Sequence, residues 1–197
     1  MLNVNPRREP WVGRKRKRAP EARRQTPDRQ TLKSAIISLV PETRGTLIIV
    51  CGLPASGKTT HAKQLEATLH AVRLSPDEWM DALSLNLWDE PRRAKIEALQ
   101  WQFAQQLLPL GVTVIIEWGT WGRSERDALR LRARELGAAV ELHYLSASVD
   151  VLYERVQRRG QEDPPIKRDQ LVQWAGTFQT PTPDELALFD KGLTLQA

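Results

Sequence analysis

The chain of 197 residues contains one cysteine and lacks any long apolar run. Because Cys51 is the only cysteine, an internal disulfide is excluded. No apolar stretch reaches the roughly 20 residues that a membrane-spanning helix needs. The N-terminal segment carries charges and prolines where a secretory signal has an uninterrupted apolar core. We therefore expect a cytoplasmic protein with no membrane partner.

Most of the chain also lacks an excess of positive charge, although the net charge is +5. Residues 1–30 hold ten Lys or Arg against three acids, which is +7, so the remaining residues sum to −2. The body therefore lacks the basic excess that follows a nucleic-acid backbone. Four prolines and few aliphatics predict that residues 1–30 are a disordered tail. This tail contacts nucleic acid or acidic lipid, is simply solvated, or precedes the true start of the protein.

From residue 31 onward the sequence alternates short apolar runs with helical segments. Continuous aliphatic runs are typical of strands buried on both faces of a parallel sheet. The predicted strands are 46–51, 71–74, 111–116 and 138–145. The predicted helices are about 32–40, 58–69, 77–84, 90–108, 123–136, 148–159 and 167–177. The alternation predicts one α/β domain over residues 31–197 with a mainly parallel sheet.

Residues 52–59, GLPASGKT, match the phosphate-binding pattern GxxxxGK[ST] in every fixed position and lie between a predicted strand and a predicted helix. Glycines let backbone N–H groups turn inward toward an anion, and the start of the following helix adds a positive field. Lys58 is then placed for the β- and γ-phosphates and the Thr59 hydroxyl for Mg²⁺. The pattern predicts that ATP and Mg²⁺ bind through Gly52, Leu53, Pro54, Ala55, Ser56, Gly57, Lys58, Thr59 and Thr60.

Two further groups of residues are candidates for chemistry. Asp77 follows the second predicted strand, at the carboxyl edge of the sheet where ligands of open α/β folds bind. Its carboxylate either accepts the proton of an attacking hydroxyl or stabilises the start of the next helix. Arg155 and Arg159 lie one turn apart on a predicted helix. They either contact nucleotide phosphates or belong to a solvated helix face.

The order of the motifs resembles a known family. The segments GLPASGKTT, RLSPDEW, VIIEWGTWGRSERDALR, VLYERVQRR and FQTPTPDELALFD follow one another over about residues 46–190. This order is similar to bacterial P-loop kinases related to zeta toxins, chloramphenicol phosphotransferase and the kinase domain of polynucleotide kinases. The resemblance implies a three-layer P-loop kinase-type sandwich with a small helical lid at about residues 155–177. It also implies that Asp77 is the general base and that Arg155 and Arg159 contact the nucleotide.

One position departs from the resemblance, because polynucleotide kinases have a phosphate-binding arginine three residues after the base and this chain has Met80. Glu117 ends the third predicted strand, where it either assists Mg²⁺ or contacts substrate. The expected substrate-site residues are Trp79, Trp88, Trp118, Trp121 and Arg123. Such a mixture suits a flat or apolar alcohol, although tryptophan is also common in protein cores.

Together these patterns predict transfer of the γ-phosphoryl group of Mg-ATP to a hydroxyl of a small molecule. The predicted catalytic residues are Asp77, Lys58, Arg155 and Arg159, and the predicted metal ligands are Thr59 and Glu117. A nucleotide-dependent nucleic-acid-binding module or polynucleotide 5′-kinase is one alternative, and a nucleotide-sugar kinase similar to zeta toxins is another. The patterns indicate neither the acceptor nor the oligomeric state.

Overall fold

The structure is a computed structural model that describes residues 44–160 and 164–196. The predicted tail at 1–30, the predicted helix at 32–40 and residues 161–163 of the predicted lid lie outside the described residues. Within the described ranges, no helix combines the length and the apolar character needed to cross a membrane.

The described residues form one five-stranded sheet in which every strand pairing is parallel. The strands are β1 (Thr46–Cys51), β2 (Val72–Leu74), β3 (Thr113–Ile116), β4 (Ala139–Ser146) and β5 (Lys191–Gln196). Their order is β2-β3-β1-β4-β5. The first four strands were predicted, whereas β5 was missed. Its sequence KGLTLQ lacks a continuous aliphatic run because it lies at an edge, pairs only with β4 and is partly exposed.

Helices connect and flank the strands. They are α1 (Lys58–Leu69), α2 (Pro76–Ala82), α3 (Glu90–Leu107), α4 (Arg123–Glu135), α5 (Val149–Arg159), α6 (Arg168–Thr177) and the short α7 (Pro183–Leu186). Helix α3 begins where the Asp89 carboxylate accepts a hydrogen bond from the Arg92 amide, and it leads into a 3₁₀ turn at Leu108–Leu110. The predicted helices within the described residues are confirmed to within two residues at each end, and only α7 was not predicted.

Both faces of β1 are buried, which is why its sequence is a continuous aliphatic run. Leu47, Ile49 and Cys51 face one apolar cluster, and Ile48 and Val50 face a second on the opposite side of the sheet. Two packed faces make the predicted three-layer sandwich, which is confirmed. Burial raises the pKa of the Cys51 thiol to about 12, so this side chain packs as a small apolar group.

The parallel strands bring three of the predicted site segments to one edge of the sheet. The phosphate loop follows β1, Asp77 lies just after β2, and Glu117 lies just after β3. Strand β1 lies between β3 and β4. The loop after β1 therefore lies where the strand order changes direction, with β2 and β3 on one side of β1 and β4 and β5 on the other. Ligands of open α/β folds bind at such a position.

Candidate active site

The backbone of the phosphate loop adopts the left-handed conformations that an anion cradle needs. Ala55 has φ 64° and Gly57, which directly precedes α1, has φ 95°. Gly52 has φ 147°, and a Cβ there would lie 2.6 Å from the carbonyl oxygen of Leu145. Only glycine fits Gly52 without displacing β4, so this position secures the turn that leads from β1 into the loop.

Lys58 folds back over the loop. Its Nζ donates to the carbonyl oxygens of Gly52 and Leu53, each at 3.0 Å. Burial lowers the pKa of Lys58 to about 8, while the nearby carboxylates of Asp77 and Glu117 act in the opposite direction. The side chain therefore holds a partly desolvated ammonium, whose charge a bound triphosphate would compensate.

This pKa predicts how nucleotide affinity depends on pH. Below about 8 the ammonium is already charged, whereas above it a proton must be taken up when the phosphates bind. We expect the affinity for Mg-ATP to fall as pH rises through this value, with a slope that approaches about tenfold per pH unit. Calorimetry from about pH 7 to 9.5, in buffers of different ionisation enthalpy, would detect both the loss of affinity and the proton uptake. A Lys58→Met variant should bind weakly with no such slope, and a flat profile for the native protein would contradict the assignment.

Asp77 is the second residue of α2 and lines a cleft together with Lys58 and Glu117. Its carboxylate forms an ion pair with the guanidinium of Arg93 on α3. Sequence reasoning missed Arg93, because it follows Asp77 by 16 residues and only the packing of α3 against α2 brings the two together.

Glu117 and Thr59 both line this cleft, but the structure gives Glu117 a partner that was not predicted. One oxygen of its buried carboxylate pairs with Arg73 of β2, whose guanidinium also contacts Glu66 and Glu78. A hydroxyl and a carboxylate are the hard oxygen donors that Mg²⁺ uses. No group of three or more His, Cys, Asp or Glu in the described residues forms a metal cage. The donor set therefore fits an ion that is held mainly by phosphate and water.

Arg155 and Arg159, the two predicted phosphate contacts, lie on α5 and line the cleft beside the loop. The Nη1 atom of Arg155 donates to the carbonyl oxygen of Ala55 at 3.4 Å. Leu152 and Val156, which adjoin the two arginines on α5, pack against Ile166 and Leu171, which ties α5 to α6. The structure thus brings both arginines to the phosphate loop, and their role in catalysis stays a prediction.

The cleft has a volume of about 1900 Å³, and five indole rings line it in addition to the phosphate loop. These lining residues, called the tryptophan wall below, are Trp88, Trp101, Trp118, Trp121 and Trp174. Trp118 donates from Nε1 to Gln100 at 2.9 Å and packs edge-on against Trp101, with ring centroids 6.5 Å apart. Trp101 and Trp174 were missed because single tryptophans on helices carry no sequence signal that separates a cleft from a core.

Residues 47–181 match the family described as AAA domain. The chain belongs to this AAA domain family. Its fold is that of P-loop kinases, as solved structures show. A protein of Chloroflexus aurantiacus proposed to be a kinase superposes with a TM-score of 0.61 at 26% identity, over 78% of this chain and 89% of that one.

Two more solved structures share the fold. One is the adenylyl-sulfate (APS) kinase of Mycobacterium tuberculosis in complex with AMPPNP and APS, with TM-score 0.56 and 20% identity over 77% of this chain and 89% of that one. The other is a chain of the Pnkp1/Rnl/Hen1 RNA repair complex, with TM-score 0.62 and 19% identity over 77% and 48% of the two chains. A comparison with curated proteins finds no significant match.

Two of the expected substrate-site residues of this AAA domain lie outside the residues that line the cleft. Trp79 follows Asp77 by two helical positions, or about 200° around α2, and therefore faces away from it. Arg123 begins α4 and contacts Asp127 one turn further along the helix, at 3.5 Å. Trp88, Trp118 and Trp121 do line the cleft, and a role of the predicted residues in substrate binding stays a prediction.

A buried arginine that was not predicted, Arg126, holds the loop that carries two residues of the tryptophan wall. Arg126 on α4 is fully buried and donates to both carboxylate oxygens of Glu185 on α7, at 2.6 and 3.0 Å. It also donates to the carbonyl oxygens of Thr120 at 2.9 Å and Gln179 at 2.7 Å. Thr120 belongs to the loop that carries Trp118 and Trp121. The segment FQTPTPDELALFD thus serves to hold this loop in place.

Proposed function

We propose that this AAA domain protein transfers the γ-phosphoryl group of Mg-ATP to a hydroxyl of a small molecule. The observation that carries the proposal is that the phosphate loop with Lys58, the carboxylate of Asp77 and the arginines of α5 all line one cleft. Phosphotransfer in general is supported by the family and by the kinases that share the fold.

In the nucleotide half of the cleft, the loop amides and the Lys58 ammonium bind the β- and γ-phosphates. Thr59 and Glu117 would hold Mg²⁺, which supplies charge neutralisation between the phosphates when it is bound. Arg155 and Arg159 line the cleft beside the loop, where their guanidinium groups offset charge that develops on the transferred group.

In the acceptor half, Asp77 accepts the proton of the attacking hydroxyl while that oxygen forms a bond to the γ-phosphorus. The bond between the γ-phosphorus and its bridging oxygen breaks, and ADP leaves. Trp118 and Trp121 also line the cleft, where their apolar rings would position a flat or partly apolar acceptor and exclude water. Positioning and electrostatics supply most of the rate in such a transfer.

An oligonucleotide acceptor is less well supported by the described residues. Met80 occupies the position where polynucleotide kinases have a phosphate-binding arginine, and its side chain is fully buried. No phosphate-binding side chain therefore reaches the cleft from the position of Met80. Residues 31–197 also carry a net charge of −2. A small acceptor without a phosphate backbone fits this charge better.

The test is a screen with ATP labelled at the γ-phosphate and Mg²⁺. The acceptors are nucleosides, sugars, aminoglycosides and oligonucleotides with free 5′ ends, and Lys58→Met is the control for contaminating kinases. We expect label to reach a small acceptor with the native protein and not with the variant. Transfer to oligonucleotides alone would overturn the small-molecule assignment, and failure to bind any nucleotide would overturn the whole proposal.

A further inference from the structure

Arg93 lines the cleft and is used neither by the sequence patterns nor by the proposed mechanism. Its side chain lines the cleft, is 22% exposed and pairs with the Asp77 carboxylate from a different helix. The same guanidinium donates to the carbonyl oxygen of Leu87 at 3.3 Å and lies 3.9 Å from the Glu97 carboxylate. Contacts with Leu87 and Glu97 thus hold the Arg93 side chain while it pairs with Asp77.

Asp77 needs such a partner for geometric reasons. Its side chain is 62% exposed, and its position in the first turn of α2 leaves several rotamers open to it. A general base works only when its oxygen lies within hydrogen-bond distance of the hydroxyl proton. An exposed carboxylate that rotates freely spends much of its time pointing elsewhere, and small misplacements of this kind lower the rate strongly.

Arg93 lies close to several acidic side chains in the cleft. Burial raises the pKa of Glu97, and the neighbouring acids Glu90, Glu125 and Asp77 raise it further, whereas Arg93 lowers it. The guanidinium therefore lies among several carboxylates and reduces their mutual repulsion. Its planar fork can contact two carboxylates at once, which the compact ammonium of a lysine does poorly.

We propose that Arg93 is a positioning residue that holds the Asp77 carboxylate toward the acceptor hydroxyl. This inference rests on the proposed function, because it gives Asp77 the role of base. Arg93 acts through Asp77 and has no contact with the phosphate loop among the contacts described for it. Its loss should therefore lower kcat and leave the KM for ATP unchanged.

The experiment measures Mg-ATP hydrolysis, in which water replaces the unidentified acceptor, for Arg93→Gln, Arg93→Lys and Arg92→Gln. Arg92 is the matched control: it neighbours Arg93 on α3 but pairs with Asp89 at 2.8 Å and lies outside the cleft lining. We expect Arg93→Gln to lower kcat by about 10- to 100-fold at constant KM for ATP. Arg93→Lys should recover part of this loss, and Arg92→Gln should match the native protein.

A double variant separates positioning from a merely structural role. If Arg93 acts through Asp77, adding Arg93→Gln to Asp77→Asn should lower kcat no further. Crystal structures should also show one Asp77 conformer in the native protein and several in Arg93→Gln. An unchanged kcat in Arg93→Gln beside a large loss in Asp77→Asn would overturn this inference alone. An unchanged kcat in Asp77→Asn would overturn the proposed base as well.

Discussion

Asp77→Asn is expected to lower kcat for phosphoryl transfer by about 10²- to 10⁴-fold, the range that a positioned general base contributes. The asparagine keeps the size and position of the side chain at the start of α2, but its amide does not take up the proton of the attacking hydroxyl. The residues of the phosphate loop are unchanged, so the affinity for Mg-ATP should change far less than kcat. Steady-state kinetics on the acceptor found in the screen, with calorimetry for ATP, would measure both.

Asp81→Asn is the matched control for this prediction. Asp81 lies four residues further along α2, is exposed and is outside the residues that line the cleft. This variant should retain the native kcat. An Asp77→Asn protein that turns over as fast as the native one would remove Asp77 from the mechanism and leave only the nucleotide-binding half of the proposal.

The sequence predicts those parts of the site that depend on residues close to one another along the chain. Residues 52–59 carry their own conformational requirements, and aliphatic runs mark strands that are buried on both faces. Parallel strands place their carboxyl ends at one edge, so the loop, Asp77 and Glu117 could be expected near one another. The structure brings all three to one cleft.

The parts that could not be predicted depend on contacts between distant segments. Arg93 meets Asp77 only because α3 packs against α2, and Arg73 meets Glu117 only because β2 pairs with β3. A charged residue on a helix has the same sequence pattern whether it faces solvent or a cleft. Strand β5 was missed for the opposite reason, since its partial exposure removes the apolar run that marks a buried strand.

Arg126 offers the largest expected effect on stability. Its guanidinium and the Glu185 carboxylate are both buried, and the ring of Phe178 lies 5.8 Å from the guanidinium carbon. Arg126→Ala would leave the Glu185 carboxylate buried without its cation. It would also remove the hydrogen bonds that Arg126 donates to the carbonyl oxygens of Thr120 and Gln179. We expect the free energy of unfolding to fall by about 3–5 kcal/mol, measured by urea denaturation.

Two further variants determine whether the ion pair itself causes this loss. Arg132→Ala removes an exposed arginine of α4 that pairs with Glu135, and it should change the free energy of unfolding by less than about 1 kcal/mol. The double variant Arg126→Met with Glu185→Leu removes both charges and should recover much of the stability, because no buried charge stays unpaired. The apolar pair cannot bind the carbonyl groups of Thr120 and Gln179, so the loop that carries Trp118 and Trp121 should loosen even where stability returns. Recovered stability with a raised KM for the acceptor would therefore show that the pair holds the tryptophan wall, whereas equal losses in Arg126→Ala and Arg132→Ala would contradict this role.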